Sequence, residues 1–211
     1  MNAPRRRIVL AAAALALAAA PAAARVPTNA VEGDMSLGNP KARVQVVEYA
    51  SASCPHCAHF NETVFPAFKK KYLDTGKVRF TLKEFLTAPA EVAAAGFLVA
   101  RCGGPAKYFT ILDQVFRSQP QWEAGDIGQV ITRVGVANGL SEAQVNSCLT
   151  DPAALDALNR RVEKALEVDK IEATPSFVVN GKPVSGVTLA DLDRAIAAAE
   201  PATAARKPKR R

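Results

Sequence analysis

Cys54-Pro55-His56-Cys57 is the segment whose residue types and spacing can do chemistry. Two cysteines three positions apart at the start of a helix can close a disulfide across one turn. Ser53 is placed to cap that helix, and Pro55 falls in its first turn, where a missing N–H costs nothing. Cys54 then sits at the helix N-terminus, where unpaired N–H groups and the helix dipole stabilise a thiolate. His56 adds a donor and, when protonated, a positive charge. Both effects lower the pKa of Cys54, make it a better leaving group and favour the reduced pair, which makes the oxidised pair an oxidant. Cys57, one turn further in, is expected to be buried and to act as the resolving thiol. A second chemistry stays open, because Cys54, His56, Cys57 and His59 spell C-x-H-C-x-H, half of a zinc or copper site. These are the only two histidines of the chain, and one short helical turn does not readily converge four ligands. A C-x-x-C beside a βαβ pattern points first to redox exchange. A purely structural disulfide at this spacing closes too small a loop to stabilise much.

The elements around the pair follow from periodicity and breakers. Val44-Gln45-Val46-Val47-Glu48-Tyr49 is short, β-branched and mostly apolar, a buried strand. The helix opened at Cys54 is expected to run to about Tyr72, kinked by Pro66. Val78 to Phe85 alternates as a second strand. Helices are expected over Glu91–Arg101, Lys107–Arg117 and Asp126–Val134, the last stopped by Gly135. Ser141 to Gln144 matches a capping box, and Asp151-Pro152 opens a long helix to about Asp169. Ser176 to Val179, the turn pair Asn180-Gly181 and Lys182 to Val184 read as a hairpin. Thr188 caps a last amphipathic helix carrying Leu189, Leu192, Ile196 and Ala199. The order is β-α-β, a helical block, then α-β-β-α, an α/β class with no internal repeat.

The ends carry the charge. The 211 residues have a formal net charge of +7. Subtracting three for Arg5, Arg6 and Arg7, and five for the cations of 206–211, leaves −1 for residues 25–205. Charge therefore points to no nucleic-acid partner for the folded part, and the basic tail (200–211) is expected to be solvated. Met1 to Ala24 reads as a secretory signal peptide: an arginine n-region, an apolar run from Ile8 to Ala20, and Ala22-Ala23-Ala24 before cleavage. The apolar run is shorter than the ~20 residues of a spanning helix, although an uncleaved anchor is the alternative. Residues 25–40, with Pro27, Gly33, Gly38 and Pro40, form a lead-in without periodicity. Export implies an oxidising compartment, for which a bacterial periplasm fits best.

With these motifs in this order the chain resembles the DsbA family of thioredoxin-fold thiol:disulfide oxidoreductases. The carrying residues are Val46-Val47-Glu48-Tyr49, then Cys54-Pro55-His56-Cys57, and later Thr174-Pro175-Ser176-Phe177. The Pro55-His56 dipeptide is the one typical of DsbA oxidases, and the match covers roughly residues 35 to 199. The resemblance implies a thioredoxin-like domain over 41–199 with a helical insertion at about 89–150. It implies that Cys54 is the attacking and leaving sulfur, Cys57 the resolving one, and that His56 tunes the thiolate. It makes Pro175 a cis proline facing the disulfide, with Thr174 offering backbone hydrogen bonds to an extended substrate. An ordinary strand-start proline is the alternative. Glu48 takes the place of the family's buried acid, with a raised pKa and a part in proton relay; its alternative is an edge-exposed glutamate. No cofactor or metal is implied. The implied partners are exported proteins with free thiols and a DsbB-like membrane quinone reductase as reoxidant. A threonine before Pro175 occurs in oxidases and isomerases alike, so isomerase and reductase stay open. The sixteen or so residues between cleavage site and core (about 25–40) leave no room for a dimerisation domain, so a monomer is expected.

Cys102 and Cys148 lie in the helical block with no motif around either. In an exported chain they are expected to pair, with an upper stabilisation of roughly 4 kcal/mol, and family members with a second, non-catalytic disulfide are similar. Two buried free thiols are the alternative. Tyr108, Phe109, Phe116 and Trp122 are expected in the core before a substrate groove.

Overall fold

The computed structural model describes residues 33–122 and 125–200. The signal-peptide segment, residues 25–32 of the lead-in and residues 201–211 of the basic tail lie outside them. Five strands form one sheet: β1 (Met35–Gly38), β2 (Val44–Ala50), β3 (Val78–Glu84), β4 (Ser176–Val179) and β5 (Lys182–Pro183), in the order β1-β3-β2-β4-β5. β2 and β3 are parallel and the other pairs antiparallel. α1 (Pro55–Thr63) and α2 (Phe65–Phe68) make the crossover between the parallel strands. α3 (Ala90–Cys102), α4 (Tyr108–Ser118), α5 (Ile127–Ala137) and α6 (Glu142–Leu149) form the helical block, and α7 (Pro152–Glu167) returns the chain to the hairpin β4–β5 and α8 (Leu189–Ala199). This is a thioredoxin-like fold with inserted helices.

Alternation along β2 explains its two faces. Val44, Val46 and Ala50 enter the main core with Phe60, Phe68 and Phe80, whereas Val47 and Tyr49 join Phe85 and Ala165 on the opposite face. Each buried Phe contributes on the order of 1.5–3 kcal/mol. Phe60 packs on Phe177 with ring centroids 4.7 Å apart, which seats α1 on β4. Glu84 ties the helical block to the sheet: Arg101 of α3, Arg161 of α7 and the Tyr108 hydroxyl of α4 all bond its buried carboxylate. Among the described residues no helix is long and apolar enough to cross a membrane.

Several sequence expectations are corrected. The lead-in contains a strand: β1 pairs with β3 through Met35–Leu82 and Leu37–Phe80. Four residues on an edge bury too little for periodicity to register. The helical run from Cys54 reaches Leu73, close to the expected end, but as separate pieces: α1 stops at Thr63, α2 resumes at Phe65 with Pro66 in its first turn, and a π turn covers Lys69–Leu73. Pro66 cannot donate to the carbonyl of Glu62, so the break falls just ahead of it. Gly135 does not stop α5 but lies inside it, buried. A Cβ there would meet Val145 Cγ2 at 2.5 Å, so this glycine serves the close approach of α5 and α6. The hairpin turn agrees with its sequence: Asn180 and Gly181 have φ of 46° and 80°, the left-handed pair of a type I′ turn.

Candidate active site

β2 delivers the chain into the Ser51–Cys54 loop, and α1 begins at Pro55. Cys54, not Ser53, is the residue that precedes the helix, with extended φ and ψ of −78° and 121° and no side-chain cap. Ser53 instead turns to Thr87, bonding its carbonyl and hydroxyl oxygens at 3.1 Å each. Because Pro55 has no N–H, the first free amides of α1 are those of His56 and Cys57. Both are directed at the Cys54 sulfur and favour its thiolate.

Cys54 and Cys57 are both buried, and the structure has them as free thiols. Their environments push them in opposite directions. Cys54 is lowered to about 5, first by the hydrogen bond from the Cys57 thiol, then by Thr174 and the two backbone amides, against the opposing effect of burial. Cys57 is pushed far up, mainly by burial, and further by donating to Cys54 and by the nearby Glu48 and Cys54 charges. His56 contributes through its backbone N–H. Its ring is exposed and makes no hydrogen bond to the sulfur, unlike the side-chain role expected for it.

Glu48 is 4% exposed on the same sheet face as Val46 and Ala50, opposite Leu82 and Phe177. Burial, then the Cys54 charge, pushes its carboxyl up to about 8. It also lines a cavity of about 390 Å³ with Asn61, Phe80, Phe109 and Asp113. The edge-exposed alternative for Glu48 therefore does not describe this structure.

From the other side comes the Thr174–Pro175 peptide, which is cis. The Thr174 carbonyl accepts from Cys54 Sγ at 3.4 Å. Its hydroxyl Oγ1 is buried and, among the described residues, has no hydrogen-bond partner. That leaves it to donate to the thiolate. A Thr174→Val variant is expected to raise the Cys54 titration midpoint by about one to two pH units, the worth of one hydrogen bond to a charged group. An unchanged midpoint in thiolate absorbance would show that the hydroxyl does not serve the sulfur.

The family profile described as thioredoxin matches residues 30–198. The crystal structure of Wolbachia pipientis alpha-DsbA1 superposes with a TM-score of 0.73 at 26% identity, covering 80% of this chain and 92% of that one. The chain belongs to the DsbA-like branch of the thioredoxin family. A Rickettsia typhi protein that carries the name protein-disulfide oxidoreductase is 34% identical over 165 residues, 77% of this chain and 60% of its own length. Disulfide bond formation protein D of Bacillus subtilis is 26% identical over 171 residues, 77% of this chain and 74% of its own. The DsbA-like chain thus spans less than two thirds of the length of its Rickettsia relative.

Within this DsbA-like site several positioning residues escape sequence reasoning. Ser51, Ser53 and Thr87 share hydroxyl hydrogen bonds that fasten the active loop to the segment after β3. Gln119, just past α4, donates to the carbonyls of Ala52 and Cys54 at 2.9 and 3.3 Å. None of these pairings has a local sequence signal. Cys102 and Cys148 are joined by a disulfide between the end of α3 and α6, with Cα atoms 6.0 Å apart. Tyr108 and Phe116 are buried in the core and Phe109 and Trp122 pack against it half-buried, as expected, while Phe116 and Trp122 also border a groove of about 610 Å³ with Pro55 and His59. Among the described residues no three His, Cys, Asp or Glu side chains are grouped to hold a metal ion, His56 and His59 included.

Proposed function

We propose that this chain is an exported thiol:disulfide oxidoreductase that introduces disulfides into other exported proteins, working in a bacterial periplasm as a monomer. The observation that carries this reading is the split between the two thiols: a thiolate-favouring Cys54 at the helix start and a buried Cys57 pushed the other way. In the oxidised enzyme a substrate thiolate attacks Cys54 Sγ and the Cys54–Cys57 bond breaks. Cys57 leaves as a thiolate. That thiolate is costly where it is buried, and Glu48, which holds its proton near neutral pH, supplies one. A second substrate thiolate attacks the substrate sulfur of the mixed disulfide, and Cys54 departs as the stabilised thiolate. The substrate loses two electrons and the enzyme gains them.

The electrons move between sulfur pairs and need no cofactor. Turnover needs a reoxidant, which we assign to a DsbB-like membrane quinone reductase. The Thr174–Pro175 segment offers its backbone to an extended substrate, and the groove beside Pro55 and Trp122 can take an apolar side chain. Roles for Pro55 and His56 are those of shaping the helix start, and the Cys102–Cys148 disulfide braces the helical block.

Equilibration with glutathione tests the direction. An oxidase is expected to settle nearer the about −120 mV of a strong disulfide donor than the about −270 mV of a thioredoxin reductant. A value at the reducing end would replace this reading with the reductase one.

A further inference from the structure

On the sheet face away from Glu48 lies a charged cluster that the exchange chemistry does not touch. Asp169 Oδ2 accepts from the Tyr49 hydroxyl at 2.8 Å and from Lys83 Nζ at 2.7 Å. Lys83 Nζ also reaches the Tyr49 oxygen at 3.2 Å, and its side chain is only 10% exposed. Tyr49 comes from β2, Lys83 from β3 and Asp169 from the turn just after α7. A mostly buried ion pair adds little net stability over apolar packing, so its value is more often in fixing one arrangement.

What this pair fixes is the approach to Thr174. The chain reverses after Asp169, with Lys170 at φ 56°, and Ile171 N–H bonds back to the Ala165 carbonyl. Ser176 Oγ then bonds the Ala173 carbonyl, and Ser176 stands opposite Tyr49 in the β2–β4 register. Tyr49 therefore holds the segment at both ends, through its hydroxyl at Asp169 and through its backbone pairing at Ser176. Between these anchors sit the Thr174 carbonyl and hydroxyl that face Cys54.

We propose that Tyr49, Lys83 and Asp169 are positioning residues, which hold the 169–175 segment so that Thr174 meets the Cys54 sulfur. The cluster pairs one cation with one anion and lies across the sheet, so it acts through position and not through its own field. Asp34, Arg160, Arg161 and Lys164 line the cavity of about 380 Å³ beside it, and Glu167, Lys170 and Glu172 flank Asp169 in the chain. This inference rests on the thiolate reading of Cys54 given above.

The test titrates the Cys54 thiolate of the reduced protein by absorbance and by alkylation with iodoacetamide at pH 5. Lys83→Met and Asp169→Ala are each expected to raise the midpoint by about one unit, which slows alkylation at pH 5 about fivefold. Tyr49→Phe removes a single hydroxyl and keeps the fold, so it reports even where the charged variants fail to fold, with a smaller shift in the same direction. In a Thr174→Val background the added shift is expected to vanish, because the group being positioned is gone. Lowered unfolding midpoints with an unmoved Cys54 midpoint would overturn the proposal and leave the cluster merely structural. A wild-type midpoint at the ordinary thiol value would instead defeat the underlying reading of the site. Neither readout depends on which way the enzyme exchanges disulfides.

Discussion

The reduced protein is expected to show one thiolate titration centred near pH 5, absent in Cys54→Ser and displaced upward in Cys57→Ala. The displacement follows from the order of causes at Cys54, where the Cys57 thiol is the largest single contributor, ahead of Thr174 and the amides of Cys57 and His56. Removing that donor is expected to raise the midpoint by more than Thr174→Val does. The consequence for redox balance has a definite sign. At pH 7 the sulfur is about two units above its midpoint, which favours the reduced folded form by at most ~2.7 kcal/mol. Solvent near the helix start screens part of this, and about 2 kcal/mol corresponds to roughly 40 mV toward an oxidising potential. Cys57→Ala is expected to accumulate a mixed disulfide with a disulfide-bonded substrate, because the Cys54 thiolate attacks that disulfide, the other substrate sulfur leaves as a thiolate, and no Cys57 thiol remains to release the enzyme. Absorbance at the thiolate band against pH, with intact mass of the trapped species, checks both. A Cys57→Ala midpoint equal to wild type would remove the inter-thiol hydrogen bond as the cause.

What the sequence discloses about this site is its local part. Cys54 to Cys57 at a helix start is legible from its neighbours in the chain, whereas Glu48 and Thr174-Pro175 stand out only through the resemblance to the DsbA family. The order of strands and helices is likewise legible from neighbours in the chain. The supports are not. Ser53 bonds Thr87, Gln119 reaches the Cys54 carbonyl, and Lys83 meets Asp169, each across dozens of residues. Nothing in one stretch of sequence announces its distant partner. β1 fails differently, as an edge strand so short that its half-buried pattern carries no period. Gly135 misleads because a glycine has two uses: it can end a helix through its backbone freedom, or admit a neighbour through its missing side chain. Only packing against Val145 decides for the second.

Glu48 sets the second large expectation, a stability that falls with rising pH. Its carboxyl titrates near 8 in the folded protein against 4.5 when unfolded, so between those values the folded state holds the extra proton. The stabilisation is full below about pH 4.5 and is lost as pH rises through about 8, on the order of 5 kcal/mol in total. Cys54 opposes it. Its folded midpoint near 5 lies below the ordinary thiol value of 9, so its contribution grows over that interval and is lost as pH falls through about 5. In the reduced wild type the two slopes largely cancel between pH 5 and 8. Cys54→Ser removes the thiolate and is expected to expose the Glu48 loss, although without the Cys54 charge the Glu48 midpoint moves somewhat down. Adding Glu48→Gln to Cys54→Ser is expected to flatten the profile. Urea unfolding at pH 5 and pH 8.5 measures the difference between these two variants, expected at several kcal/mol more destabilisation at high pH in the protein that keeps Glu48. Equal slopes in the two would mean that the carboxyl ionises in place without cost, and that Glu48 holds no proton at neutral pH to give to Cys57.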